Sequence, residues 1–275
     1  MPELPEIEVI CRTLKDGVLG KYIASMDVGN PAMRWPVPVS ELGSKAVGQR
    51  VVDLFRRGKY VCLKLSNDYI VAIHLGMSGA LLMRGDHEPS DKFDNVAFSF
   101  RGGGRIALKD HRRFGSVHLI AADELKAHPR FVHLGFEPLA GDFEALALKR
   151  SFGRSSRAIK QVIMDQKVVV GVGNIYAAEI LFRARVHPFT PARRLGLARV
   201  ERMVEVTREV LARAIQCGGT SFRDYVDGYG RKGNFVDELQ VYGRKGLPCL
   251  ICQRPLKGSM KFGRSTVYCT RCQKG

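Results

Sequence analysis

The tightest constraint on the fold lies at the far end of the chain. There Cys249-x-x-Cys252 is followed, after sixteen residues, by Cys269-x-x-Cys272. Two such hooks close a tetrahedral cage of thiolates, the geometry that Zn2+ takes in a structural site. Free or redox-active cysteines would not require both spacings. No fifth ligand or open position is suggested, so one structural zinc ion is expected. The other cysteines of the odd total of seven, Cys11, Cys62 and Cys217, sit in apolar or helical surroundings and read as core residues. Between the hooks, Lys257 to Tyr268 mixes basic residues and glycine with β-formers. This suits a two-stranded ribbon with a basic tip, either simply solvated or facing DNA.

Charge narrows the choice of partner. The formal net charge is +17, which favours a polyanion, either nucleic acid or an acidic membrane surface. No run of about 18 apolar residues exists to span a bilayer, and the acidic N-terminus lacks a charged-then-apolar signal pattern. A cytoplasmic protein is expected, a setting in which clustered cysteines bind metal rather than pair. With 275 residues, 45% of them hydrophobic, there is material for one large or two modest cores plus a small module.

Along the chain the periodicity changes twice. Residues 4 to 18 read as a helix, with Ile7, Ile10, Cys11, Leu14 and Val18 on one face. Then come short runs broken by Gly, Asn and Asp: Arg50–Phe55, Tyr60–Leu65, Tyr69–His74, Ala80–Met83, Val96–Phe100, Arg105–Lys109 and Ser116–Ile120. These predict an antiparallel sandwich or barrel. Lys126–Ala140, with two prolines and a glycine, reads as a linker. Helices are expected at 142–149, 157–167, 174–185, 195–217 and briefly at 220–226, followed by a Gly-rich basic loop at 227–236.

Other stretches carry chemistry. The chain starts Met1-Pro2-Glu3-Leu4-Pro5-Glu6. Removal of Met1 would leave a secondary amine at Pro2 beside the Glu3 carboxylate. A free α-amine titrates near ~8 and can attack a sugar carbon to form a Schiff base, and a neighbouring carboxylate can move protons. Pro and Glu are also ordinary signals for the start of a helix. Asp165 to Tyr176, containing Gly171-Val-Gly173-Asn174, reads as a helix end, a Gly-rich turn and a new helix start. Such a start binds phosphate through its backbone N–H groups; Arg157 and Lys160 add charge, and Asn174 is a cap or a phosphate donor. The same residues also suit a plain core turn. His74 to Gly79 and Lys109 to Gly115 are loops after strands, carrying Met77, Arg112 and Phe114. Met, Arg and Phe can plug a gap in stacked bases; the alternative is a buried Met and Phe with solvated arginines.

With these residues in view, the chain resembles the formamidopyrimidine-DNA glycosylases, bifunctional bacterial repair enzymes, over its whole length and in motif order. Pro2-Glu3-Leu4-Pro5-Glu6 resembles their N-terminal signature, Arg57-Gly58-Lys59-Tyr60 their catalytic-lysine turn, and Gly171 to Ala177 their helix–two-turn–helix signature. The four cysteines resemble their zinc finger, with Arg264 at the position of its functional arginine. Leu4 leans towards the branch acting on oxidised purines.

The resemblance implies an α+β multidomain protein. An N-terminal helix and antiparallel β-sandwich would form a catalytic domain over 1–125, with a linker over 126–140. A helix–two-turn–helix domain would span 141–236 and a β-hairpin zinc finger 237–275. It implies removal of 8-oxoguanine and formamidopyrimidines from double-stranded DNA by a monomer. Pro2 would attack C1′, Glu3 would supply protons, and Lys59 and Arg264 would serve phosphate contact and the β- and δ-eliminations. Met77, Arg112 and Phe114 would fill the gap left by the everted base. Lys160 and Asn174 would hold phosphates, and residues 220–235 would close on the lesion. Phe93-Asp94-Asn95 departs from a His-Asp-His pattern, and Ser156 from a basic residue found in some relatives, leaving that contact to Arg154 or Arg157. Two other readings compete: an endonuclease VIII-like enzyme for oxidised pyrimidines, and a non-catalytic zinc-ribbon DNA-binding protein. The last leaves Pro2, Glu3 and Lys59 without a purpose.

Overall fold

The computed structural model describes residues 1–275. They form two compact units: Met1–Val132 with Cys217–Val236, and His133–Gln216 with Asp237–Gly275. No helix is long and apolar enough to cross a membrane.

The first unit opens with α1 (Leu4–Val18). Its start is set by a capping box. The Glu3 N–H donates to Glu6 Oε2 at 2.8 Å, and the Glu6 N–H donates to the Glu3 carboxylate. Ile7, Ile10, Cys11, Leu14 and Val18 are buried along one stripe, as the helical spacing predicts. Each such aliphatic side chain contributes roughly 1.5–3 kcal/mol by leaving water.

The strands follow: β1 (Ile23–Asp27), β2 (Val51–Arg57), β3 (Tyr60–Leu65), β4 (Tyr69–His74), β5 (Ala80–Arg84), β6 (Asp94–Phe100), β7 (Arg105–Lys109) and β8 (Ser116–Ala121). They make two four-stranded antiparallel sheets, ordered β1-β6-β7-β5 and β2-β3-β4-β8. Val61, Leu63, Val71 and Ile73 of one sheet share a core with Phe98, Ile106 and Leu108 of the other and with α1. Every strand expected from the short alternating or apolar runs is present. Two elements carried no clear signal: β1, which has a bulge between Ile23 and Ser25, and a short helix α2 (Val39–Lys45).

The segment 217–236 belongs to this first unit. The helix expected at 220–226 does not form. Gly218 and Gly219 have φ of 75° and 86°, which breaks the chain away from a helical path. At Gly219 a side chain is also excluded, since a Cβ would lie 2.8 Å from the Tyr225 ring and 3.1 Å from Glu6 Oε1.

The second unit holds α3 (Ala145–Phe152), α4 (Ile159–Ile163), α5 (Asn174–Arg183), α6 (Leu197–Gln216) and the hairpin β9 (Lys257–Ser259) and β10 (Thr266–Tyr268). The helix expected over 157–167 shrinks to α4, because the Val168 N–H turns back onto the Asp165 carbonyl at 2.8 Å. Gln166 staples the turns that follow: its Oε1 accepts the Gly171 N–H at 2.7 Å and its Nε2 donates to the Val172 carbonyl at 3.1 Å. The cysteine ribbon packs on α5 through Val241, Leu256 and Val267 against Ala178 and Phe182. Glu179 is fully buried on α5, and its carboxylate accepts N–H bonds from Gln240, Val241 and Tyr242 at 2.9–3.0 Å. Three donors compensate the cost of burying that charge.

Candidate active site and nucleic-acid interface

The first unit gathers its chemistry around the chain start. Pro2 is buried and Glu3 is 3% exposed. The capping box turns the Glu3 carboxylate onto the N-terminal end of α1, so its rotamer is held by the fold. Lys59 sits in the two-residue turn between β2 and β3, closed by the Arg57–Tyr60 pair. Its side chain is 8% exposed, unusual for an ammonium. Its charge is felt at the Met1 amine, which burial pushes below its ordinary value, Glu3 and Glu6 opposing. Three of the four residues expected to act, Pro2, Glu3 and Lys59, thus belong to this chain-start region, while Arg264 belongs to the second unit.

Glu6 ties this cluster to the 217–236 segment. Its Oε1 accepts the Thr220 N–H at 2.8 Å, and the Tyr225 hydroxyl donates to its carbonyl at 3.4 Å. The residues expected to close on a lesion are thus anchored to the first turn of α1.

Met77, Arg112 and Phe114 come together on a cleft of about 460 Å3, shared with Met1, Met33, Arg34 and His74. Met77 is 47% and Phe114 39% exposed, so neither is a core residue. The Arg112 guanidinium lies 4.6 Å over the Phe114 ring. Asp110 shapes their loop by accepting the Arg112 and Gly115 N–H groups at 3.2 and 2.8 Å. Asn95, at one of the departing positions, is buried and donates to the Asp110 and Phe93 carbonyls at 2.8 and 3.0 Å. Its place in this chain is to brace the loop.

His74 was not singled out from the sequence. The β3–β4 register sets it opposite Tyr60, beside the Lys59 turn. Burial, with Lys59 and Arg34 adding, pushes its pKa down to about 4. Its Nδ1 accepts the Gly76 N–H at 2.9 Å, so the neutral ring carries its proton on Nε2. Only strand register could have revealed it, and register is not written in local spacing.

His118 is also pushed down to about 4, by burial and then by Arg130 and His128. In an unfolded chain both imidazoles titrate near ~6.5. The unfolded state therefore binds more protons between pH 6.5 and 4, and stability is lost as pH falls through that window. Melting temperature followed from pH 7 to 4 should fall, and should fall less in a His74→Gln, His118→Gln double variant. An identical slope in that variant would assign the acid sensitivity to other groups.

In the second unit, Asn174 is the first residue of α5, and its side-chain oxygen has no protein donor. Arg157 is half exposed and engaged with Asp165 at 2.8 Å. Lys160 is 4% exposed, and its ammonium donates to the Ser265 carbonyl and Thr266 Oγ1, both at 2.9 Å. These are the residues that follow Arg264, so Lys160 braces the hairpin that carries it. Arg157, Lys160 and Arg264 line one cavity of about 230 Å3.

The sulfurs of Cys249, Cys252, Cys269 and Cys272 all lie within 4.8 Å of one another, with 3.9 Å between Cys249 and Cys272 and 3.4 Å between Cys252 and Cys269. A tetrahedron of thiolates at ~2.3 Å from a central ion has sulfurs about 3.8 Å apart. The four cysteines have the geometry of a metal site.

An antiparallel sandwich joined in one chain to a helical unit and a cysteine ribbon is the arrangement of the DNA glycosylases of base-excision repair to which the chain is similar. Residues 1–117 match the model of the formamidopyrimidine-DNA glycosylase N-terminal domain, and residues 134–226 that of the formamidopyrimidine-DNA glycosylase H2TH domain. The chain is 43% identical to the formamidopyrimidine-DNA glycosylase of Aromatoleum aromaticum and 42% identical to that of Escherichia coli, with all of each chain covered. Among solved structures, it is similar to a Lactococcus lactis Fpg mutant in complex with Fapy-dG-containing DNA (TM-score 0.92, 30% identity, all of both chains). It is also similar to the MutM (Fpg) protein of Thermus thermophilus (TM-score 0.87, 36% identity, 99% of this chain and 98% of that one). The chain belongs to the formamidopyrimidine-DNA glycosylase family, whose members are glycosylases with AP lyase activity.

Proposed function

We propose that this glycosylase removes 8-oxoguanine and formamidopyrimidines from duplex DNA through a Schiff base on Pro2, then cuts the strand by β- and δ-elimination. The observation that carries the reading is the cluster at the chain start: Pro2 buried, Glu3 fixed by the capping box, and the Lys59 charge beside them. An amine forms the covalent bond, a carboxylate moves protons, and a cation holds phosphate.

With Met1 removed, the Pro2 nitrogen forms a bond to C1′ as the glycosidic bond breaks and the base departs with its electron pair. Glu3 protonates the sugar oxygen as the ring opens. The resulting iminium draws electrons from C2′. Loss of the C2′ proton to solvent expels the 3′ phosphate, loss of a C4′ proton expels the 5′ phosphate in the second elimination, and water then hydrolyses the iminium and frees Pro2. Lys59 and Arg264 hold those phosphates. Arg264 acts through charge and position, since a guanidinium hardly deprotonates. Met77, Arg112 and Phe114 enter the stack where the base has left, an assignment supported by their exposure on one cleft. Asn174 contacts backbone phosphate from the start of α5. Arg157 adds positive charge nearby, and Lys160 sets the Arg264 hairpin.

The cysteine site holds one Zn2+, which supplies folding energy to the ribbon rather than chemistry. Chelation should unfold the ribbon, displace Arg264 and weaken binding to lesion-containing duplex. Zinc content and binding measured together check this; unchanged affinity after complete zinc loss would remove the finger from the interface.

The test of the function is borohydride trapping on a duplex with 8-oxoguanine opposite cytosine. A covalent band mapped to Pro2 by mass spectrometry is expected. A band formed with oxidised pyrimidines but not with 8-oxoguanine would reassign the substrate. No band with either, or with an abasic site, would overturn the amine mechanism.

A further inference from the structure

In the second unit, a cavity of about 850 Å3 opens where the C-terminal end of α5, the first turns of α6 and both cysteine knuckles meet. Its lining includes Arg185, Arg199, Arg202, Arg271 and Lys274, and no carboxylate. All five cations are exposed. Arg202 has an acidic neighbour, Glu205, at a loose 4.0 Å.

The backbone fixes two of these cations side by side. The Lys274 N–H donates to the Arg185 carbonyl at 3.3 Å, and the His187 N–H to the Lys274 carbonyl at 3.1 Å. Gln273 Nε2 reaches the Val186 carbonyl between them at 2.9 Å. Arg185 itself takes a left-handed φ of 58°, turning the chain away from α5. Cys252 and Cys272 also line the cavity. Four thiolates around a divalent ion carry a charge of about −2, which five cations exceed, so the cavity keeps a positive surplus. It is also remote from the start of α5. Ten residues of helix separate it from Asn174, roughly 15 Å along the axis.

The wall has an apolar part as well. Ile251 is 57% exposed there, and the adjacent Leu250 is 54% exposed. A phosphodiester backbone has no use for bare aliphatic side chains. A peptide does, and its carboxylates match guanidinium forks. We propose that this cavity is a docking site for an acidic peptide segment of a partner protein, with its carboxylates on the arginines and an aliphatic side chain on Ile251. The proposal does not depend on the lesion assigned to the enzyme.

The experiment uses the full-length, zinc-loaded protein. A fluorescein-labelled synthetic peptide of aspartates flanking a Leu-Ile pair is titrated by anisotropy, beside a labelled oligothymidylate. Saturable peptide binding is expected. It should weaken about tenfold or more, equivalent to ~1.4 kcal/mol, in Arg185→Glu/Arg271→Glu and separately in Arg199→Glu. Excision of 8-oxoguanine should be unchanged in Arg199→Glu. Arg199→Glu lies on α6, outside the ribbon, so it remains informative if the double variant loses zinc. No peptide binding, or equal binding by parent and variants, overturns the proposal. So does oligothymidylate binding that the variants lose while the peptide fails to bind, which would make the cavity a nucleic-acid site.

Discussion

Glu3→Gln is expected to bind duplex containing 8-oxoguanine as the parent does while base excision falls roughly 10²–10⁴-fold, the usual worth of a positioned acid or base. This corresponds to about 3–5 kcal/mol of lost transition-state stabilisation. The substitution is clean on structural grounds. A carboxamide oxygen can still accept the Glu6 N–H, and the backbone half of the capping box, Glu3 N–H to Glu6 Oε2, is untouched. The start of α1 should therefore hold its shape, and what is lost is the transferable proton. Single-turnover excision and gel-shift affinity on the same duplex would check it. Excision within a few fold of the parent would take Glu3 out of the chemistry.

An uncleaved N-terminal extension should have the larger effect. It turns the Pro2 nitrogen from a secondary amine into a peptide nitrogen, whose lone pair is delocalised into the carbonyl. No borohydride-trapped band is expected, and strand cutting through the iminium should stop. The extension must be longer than Met1 alone. Burial holds the Met1 amine below its ordinary pKa, so an unprocessed chain still presents a free amine one residue from the correct place. Full trapping by the extended protein would exclude Pro2 as nucleophile.

How much could be seen in the sequence follows from how local each feature is. The cysteine hooks and the stripe on α1 are patterns over a few residues, and both are found where spacing puts them. The strands from Val51 to Ala121 are legible as short alternating or apolar runs broken by turn residues, the longer apolar runs being buried almost throughout, as in β4 (Tyr69–His74). Features set by partners far along the chain were hidden. His74 acquires its setting from a register with Tyr60, and Asn95 from Asp110. Lys160 reads as a free cation on a helix, yet its ammonium is held by residues more than a hundred positions away. The helix expected at 220–226 failed for the same reason: Gly219 is shaped by contact with Glu6 and Tyr225 rather than by its neighbours in sequence.

The placement of residues 217–236 in the first unit has a consequence for synthesis. Tyr225 belongs to the sandwich core, and the Thr220 N–H satisfies Glu6 at the first turn of α1. A nascent chain that has released only its first 132 residues holds Pro2, Glu3 and Lys59 but lacks both of those partners. The ribosome must deliver four more helices before the missing stretch emerges, a delay of roughly 5–20 seconds at ~5–20 residues per second. The first unit is thus completed only after the helix–two-turn–helix segment has been made, and a truncated product is born with its sandwich unfinished.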